Sequence, residues 1–291
     1  MSAASYSLLP HRSVIAIGGS DRAEFLQGLI SNDTAKVGPG RAIWAALLTP
    51  QGRFLNDMFV VEDGDGTFLM ETERERSAAL AKKLKMYTLR SKVTVEDLSD
   101  AMEVAVVYGP DGDKNAGKIL PVAGATAFVD PRLAELGVRV LAPAGQTAAL
   151  LLDLDEVPLA GYEALRLRLG VPDGSRDLPV EKALLLESGF DELHGVDWQK
   201  GCYMGQELTA RTKYRGLIKR RLFPVKVEGS LPPPGTPVER DGREVGEIRS
   251  GLGDRALAML QLDAARASLS SAGAKIVAEV PDWMRLPESA G

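Results

Sequence analysis

Lys200-Gly201-Cys202-Tyr203-Met204-Gly205-Gln206-Glu207, continuing into Leu208-Thr209-Ala210-Arg211, is the most informative run in this 291-residue chain. It holds the single cysteine. Glycines at 201 and 205 bracket that cysteine, as happens where a chain turns sharply or passes close to another segment. Gln206 to Thr212 contains no helix breaker and reads as the first two turns of a helix, which sets Cys202 just ahead of a helix N-terminus. A positive dipole end, with Lys200 and Arg211 nearby, favours thiolate and lowers a thiol's pKa. The same spacing also suits a small buried residue at a tight turn, the common fate of a lone cysteine.

Downstream, Arg211, Lys213, Arg215, Lys219, Arg220 and Arg221 follow with no acid among them. This local positive patch in an acidic chain would attract an anion, such as a carboxylate tail or an acidic partner surface. It also fits a solvated strand face leading into a new domain. Beyond it the composition turns β-like. Short strands are expected at Leu222–Val227, Pro237–Arg240, Arg243–Arg249, Ala256–Leu260 and Ala274–Val280. Asp241-Gly242 supplies a tight hairpin turn and Leu231-Pro232-Pro233-Pro234-Gly235 a stiff connection. A compact barrel of about seventy residues fits this spacing of strands and turns.

Upstream, His194 precedes Cys202 by eight residues, an order and spacing that match no Cys–His protease pattern. Gly170 to Pro179 is a loop. Before it, a helix is expected from near Leu159 to Leu169, carrying Tyr162 and Arg168, and another from Gly145 to Leu154. Arg74 to Tyr87 reads as a helix with Leu80, Leu84 and Tyr87 on its buried stripe. Lys92–Asp97 and Met102–Val107 read as strands. Ala42–Thr49 and Phe54–Val61 form a hairpin around Pro50-Gln51-Gly52-Arg53. Near the N-terminus, Ser20-Asp21 caps a helix from Arg22 to Ile30 with Phe25, Leu26, Leu29 and Ile30 inward. An aspartate such as Asp57, in a strand just after a turn, is ordinarily solvent-facing.

Composition bounds the function. Hydrophobic content of 45% and charged content of 26% are those of a globular protein long enough for two or three subdomains. Apolar runs such as Ile43–Leu48 are too short to span a bilayer, so no membrane partner is expected. No secretory signal is evident at the N-terminus. One cysteine excludes an intramolecular disulfide and a Cys-only cluster cage, and two histidines argue against a histidine metal site; no stable metal is expected within one chain. A net charge of −5 provides no case for nucleic acid.

The octet resembles the KGCYxGQE signature of the YgfZ family, folate-binding proteins related to the T-protein (aminomethyltransferase) of the glycine cleavage system. The resemblance extends to Arg176-Asp177-Leu178-Pro179, Leu186-Glu187-Ser188, Thr209-Ala210-Arg211-Thr212 and Lys219 to Val225, a pattern most similar to the branch of mitochondrial iron–sulfur assembly factors. It implies an α+β, GcvT-like multi-domain ring around a central cavity, with a C-terminal β-barrel. Residues 1–216 would be the folate-binding region, two interleaved α/β subdomains, and residues 217–291 the barrel. It further implies a reactive thiol at Cys202. Lys200, Gly201, Tyr203, Gly205, Gln206 and Glu207 would shape the signature loop. Asn56, Asp57, Tyr162, Arg168 and Arg211 would stand at the folate site. T-proteins carry an Asp-Asp pair where this chain has Asn56-Asp57, and a pterin-holding glutamate where it has Arg168, which is a donor only. Both departures weigh against T-protein chemistry, although Asp57 remains for a catalytic role.

Three functions follow from the resemblance. One is a folate-binding factor, using tetrahydrofolate or another folate, that assists assembly or repair of [4Fe-4S] proteins together with assembly proteins or client enzymes. Another is a tetrahydrofolate-dependent aminomethyl or methyl transferase with Asp57 orienting the folate nitrogen. The last is a non-catalytic interaction scaffold. The expected compartment is the bacterial cytoplasm, or the mitochondrial matrix in a eukaryote.

Overall fold

Nearly continuous apolar runs flank the turn at Pro50–Arg53, and in the computed structural model this hairpin forms the edge of the first sheet, buried on both faces. The structure describes residues 4–286, apart from Asp111 and Leu217. Leu217, where the barrel region was expected to begin, and the last five residues of that region therefore lie outside the described residues, as do the first three of the chain.

In chain order the first elements are β1 (Ser5–Leu8), β2 (Arg12–Gly18), α1 (Arg22–Gln27), β3 (Ile43–Leu48), β4 (Phe54–Glu62) and β5 (Phe68–Glu73). Next come α2 (Arg74–Tyr87), β6 (Thr94–Asp97), β7 (Met102–Tyr108), β8 (Ile119–Val122), β9 (Ala125–Val129) and β10 (Val138–Pro143). Then follow α3 (Thr147–Leu150), β11 (Asp155–Glu156), α4 (Leu159–Leu169), α5 (Gly174–Asp177) and α6 (Gln206–Tyr214). The last strands are β12 (Arg220–Glu228), β13 (Pro237–Arg240), β14 (Arg243–Leu252), β15 (Arg255–Gln261), β16 (Leu269–Ser271) and β17 (Ala274–Ala278).

These elements make a five-stranded sheet ordered β3-β4-β5-β2-β6 and a six-stranded sheet ordered β11-β1-β7-β10-β9-β8. The two sheets face each other. Trp44 and Phe59 from the first pack with Val106, Phe128 and Leu141 from the second. The other face of the first sheet is covered by α1 and α2, through Leu26, Leu80 and Leu84. The last six strands close into a barrel ordered β12-β15-β14-β13-β16-β17, with its own core of Phe223, Val238, Ile248 and Leu260. The chain is therefore α+β with a C-terminal β-barrel, as the resemblance implied.

Several elements depart from the sequence expectation for identifiable reasons. Helix α1 stops at Gln27, although Leu29 and Ile30 stay buried. Asp21 does not cap it; its carboxylate accepts from Ser20 Oγ and the Lys92 amide instead. The helix expected from Gly145 to Leu154 is a single turn, α3. Tyr87 leaves the buried stripe of α2 and is exposed. Strands β8, β9 and β10 surround glycine-rich turns and carry short, weakly alternating runs that sequence periodicity did not resolve.

Candidate functional site

The signature loop is built from backbone constraints. Lys200 reaches under it and donates from Nζ to the carbonyls of Gln27, Ile30 and Asn32 at 2.6–2.9 Å, capping the C-terminal end of α1. Burial holds the Lys200 pKa down to about 8, with Asp33 and Asp197 opposing that shift. Its ammonium lies 5.0 Å from the centre of the buried Tyr203 ring. Burial pushes the Tyr203 phenol up to about 12, against a hydrogen bond from Thr209. Gln206 Oε1 accepts from the Tyr203 amide at 2.9 Å, and the Met204 amide donates to the Gly28 carbonyl. Gly205 has φ +77 and sits against the β3–β4 turn, where a Cβ would meet Leu48 Cβ at 2.9 Å. A larger residue there strains the backbone and separates the loop from the hairpin.

The consequence is a loop pinned at both flanks with its middle facing out. Gly201 and Cys202 are exposed, while Tyr203 turns in. A small buried residue at a tight turn is not what the structure shows. The helix after the loop, α6, starts at Gln206 as its sequence suggested. Its far end carries exposed Tyr214, whose ring lies 6.4 Å from that of Trp198. The cationic run divides in two. Lys213 pairs with Asp191, and buried Arg221 donates to Glu192 and to the Leu186 carbonyl. Arg211, Arg215, Lys219 and Arg220 remain exposed, and so does Glu207.

Asp57 is elsewhere. It is 2% exposed, against the ordinary expectation of a solvent-facing aspartate. Its Oδ2 accepts from Trp44 Nε1 at 3.2 Å, and its Oδ1 lies 3.7 Å from Arg12. Asn56 pairs with Leu47 and Asp57 with Ala46, so the two point to opposite faces of β4. Asn56 belongs to the α1/α2 side and Asp57 to the layer between the sheets. Alternation along a strand separates any two adjacent residues in this way.

Around Asp57 runs a buried ion network that sequence reasoning missed. Arg12 and Arg139 share Glu71, Arg139 and Arg132 share Asp130, and Arg139 Nη2 donates to Tyr162 Oη at 3.3 Å. Arg166 joins Glu163, Asp177 and Ser250, tying α4 and α5 to the barrel. Arg139 alternating with Val138 and Val140, and Arg166 one turn from Tyr162, were the available signals. Burial would raise the Asp130 carboxyl, but Arg132 and Arg139 overcome it and hold it below its ordinary value. His11, Glu163 and Asp173 bring potential metal-ligand atoms within 4.8 Å of one another. Arg12, Arg166 and Arg176 already neutralise these carboxylates.

Helix α4 separates the remaining candidates. Tyr162, Glu163, Arg166 and Leu167 are buried on one side. Gly161, Ala164, Leu165 and Arg168 occupy the other and line a cavity of about 1140 Å³. Tyr162 and Arg168, six residues apart, are about 120° apart around the helix. The cavity wall also includes Tyr108, Lys114, Glu135, His194, Asp254 and Arg255. Of the residues expected at a folate site, Arg168 alone lines it; Asn56, Asp57, Tyr162 and Arg211 do not, and neither does Cys202. The volume suits a folate-sized molecule. Its wall carries the Tyr108 ring, the cations Arg168 and Lys114 and the carboxylates Glu135 and Asp254, while Arg255 is paired with Glu279.

Comparison with known proteins agrees with this architecture. Residues 9–131 match the GCVT N-terminal domain and residues 219–286 match the CAF17 C-terminal beta-barrel domain. The mouse (Mus musculus) protein "Iron-sulfur cluster assembly factor IBA57, mitochondrial" is 37% identical, covering 94% of this chain and 84% of its own. The human (Homo sapiens) protein of the same name is likewise 37% identical over the same shares. Among solved structures, the glycine cleavage system aminomethyltransferase T from Bartonella henselae superposes with a TM-score of 0.79 at 17% identity, covering 96% of this chain and 86% of that one. At that identity the superposition establishes a common fold.

Proposed function

The chain belongs to the family of the iron–sulfur cluster assembly factor IBA57, and on that footing we propose that it assists the assembly or repair of iron–sulfur proteins, [4Fe-4S] proteins included, through Cys202. The observation that carries this reading is the exposed thiol on a loop whose flanks are fixed by Lys200, Gln206 and Gly205. Exposure lets a second protein reach the sulfur. One cysteine supplies one ligand, so a cluster bound here as cargo takes its remaining ligands from a partner. The exposed cations Arg211, Arg215, Lys219 and Arg220 suit an acidic assembly protein or client.

Folate is the small molecule proposed for the cavity, and when bound it would supply a carrier for one-carbon units. Lys114 would meet its carboxylates, Tyr108 would lie against a ring, and Arg168 would stand beside the pterin amines. The transferase reading is weaker, because Asp57 is packed between Trp44 and Arg12 and does not line this cavity. The working division is 1–216 for the thiol and most of the cavity wall and 217–291 for the barrel, which adds Asp254 and Arg255 to that wall. The compartment would be the mitochondrial matrix in a eukaryotic source and the cytoplasm in a bacterial one.

The test is rescue. Cells depleted of their own family member and supplied with this chain should recover the activity of a [4Fe-4S] enzyme while making equal amounts of its polypeptide. Failure to recover it, with the chain folded and abundant, overturns the reading.

A further inference from the structure

Lys82-Lys83-Leu84-Lys85-Met86-Tyr87-Thr88-Leu89-Arg90-Ser91-Lys92 ends α2 and turns toward β6. No acid occurs between Ser77 and Val95. Among the described residues, none of its five cations lies within 4.0 Å of a carboxylate oxygen. Three of the eight large apolar side chains exposed among the described residues fall here: Met86 at 57%, Tyr87 at 39% and Leu89 at 91%. Leu89 thus projects almost wholly into solvent in a stretch whose cations have no carboxylate partner among the described residues.

The tip is held in place. The Lys92 amide donates to Asp21 Oδ2 at 2.8 Å, and the Asp21 amide donates back to the Lys92 carbonyl. Within the turn, the Ser91 amide donates to the Thr88 carbonyl and Thr88 Oγ1 to the Lys85 carbonyl. Gly19, at φ +96, lies so close to Lys92 that any Cβ would overlap its carbonyl. Folding therefore fixes an apolar knob where it buries nothing, and such exposure marks a contact surface.

We propose that this tip docks the protein on an anionic lipid bilayer, with Leu89 and Met86 entering the headgroup–acyl boundary and Lys82, Lys83, Lys85, Arg90 and Lys92 meeting the lipid phosphates. A protruding apolar residue in a lysine-rich, acid-free stretch matches a soft planar surface. A protein interface instead depletes lysine and requires a shape complement. The short apolar runs of the sequence argue against a spanning segment and leave surface docking open. The tip adjoins the N-terminal end of α1, through Asp21, while the signature loop caps its C-terminal end, through Lys200. A six-residue helix separates those ends by about 9 Å.

The experiment is sedimentation of the full chain with vesicles of phosphatidylcholine alone or of phosphatidylcholine mixed with phosphatidylglycerol. Binding is expected to the anionic vesicles only, and to weaken as salt rises. Leu89→Ser with Met86→Ser should weaken it about tenfold or more. Lys82→Gln, Lys85→Gln and Arg90→Gln should each weaken it about fivefold. Circular dichroism and melting temperature confirm that these exposed variants fold. Absence of binding at low salt overturns the proposal. So does binding that ignores Leu89 and Met86 and is matched by soluble polyglutamate, which would make the target an acidic protein. Binding lost with Arg211→Gln and Arg215→Gln but kept in the tip variants overturns it too, placing the contact on α6.

Discussion

At the scale of single residues, the signature lysine and cysteine divide the work between holding and presenting. Lys200 was read as a cation that would act on the thiol, and its ammonium is instead committed to three carbonyls. Lys200→Met leaves those acceptors without their donor and should destabilise the chain by about 2 kcal/mol, measured by urea unfolding. The pH dependence has a defined sign. The unfolded lysine keeps its proton to about pH 10.4, whereas burial lets the folded one go near pH 8. Between those values the unfolded chain binds more protons, so this group's contribution to stability rises with pH. The gap between wild type and Lys200→Met should widen from pH 8 to pH 10, and a constant gap would contradict the account. Asp57 shows the limit of residue-level reading. Its identity was visible, but the Trp44 and Arg12 that bury it come from other strands.

At the scale of elements, lengths and periodicity were the legible part. Helices α2 and α4 begin and end where their apolar spacing and flanking residues place them. The Asp241-Gly242 turn has both residues at positive φ, +51 and +73, as a two-residue hairpin of this kind requires. What spacing alone left unassigned was which face of α4 meets what. Arg166 and Arg168 look alike in sequence, yet one is a buried tie to Asp177 and Ser250 and the other stands on a cavity wall. Replacing Arg166 by Ala strands buried carboxylates and should cost about 3–5 kcal/mol, seen as a large drop in melting temperature. Arg168→Glu should leave stability nearly unchanged. In calorimetry with tetrahydrofolate it should tighten binding several-fold, by restoring an acceptor for the pterin amines. Unchanged or weaker affinity would remove the pterin from that wall.

At the scale of the whole molecule, the two sheets, α4, α5 and the barrel are joined by one buried ionic network running from Arg12 through Glu71, Arg139 and Asp130, and from Arg166 through Asp177 to Ser250. Apart from Asp177, which lies in the Arg176–Pro179 motif, its carboxylates carry no signal in sequence, because long-range charge pairing has no period. Burial would raise Asp130 and Asp173. Arg132 and Arg139 hold the first down, and His11 and Arg12 hold the second down. Their stabilising contribution is full above the unfolded carboxylate range, near pH 3.9, and is lost as pH falls through their lower folded values. Stability should therefore hold steady to about pH 4.5 as far as these groups are concerned and drop below pH 4. Asp130→Asn should flatten that acid limb while lowering stability at pH 7.

The central claim is that the exposed thiol does the work in iron–sulfur protein assembly, and the rescue assay tests it with Cys202→Ser beside the wild type at matched expression. An exposed residue contributes about 0.5 kcal/mol or less to stability, so the variant should melt within a degree or two of the wild type. The account predicts a folded, abundant Cys202→Ser protein that fails to restore [4Fe-4S] enzyme activity. Full restoration by that variant would contradict it.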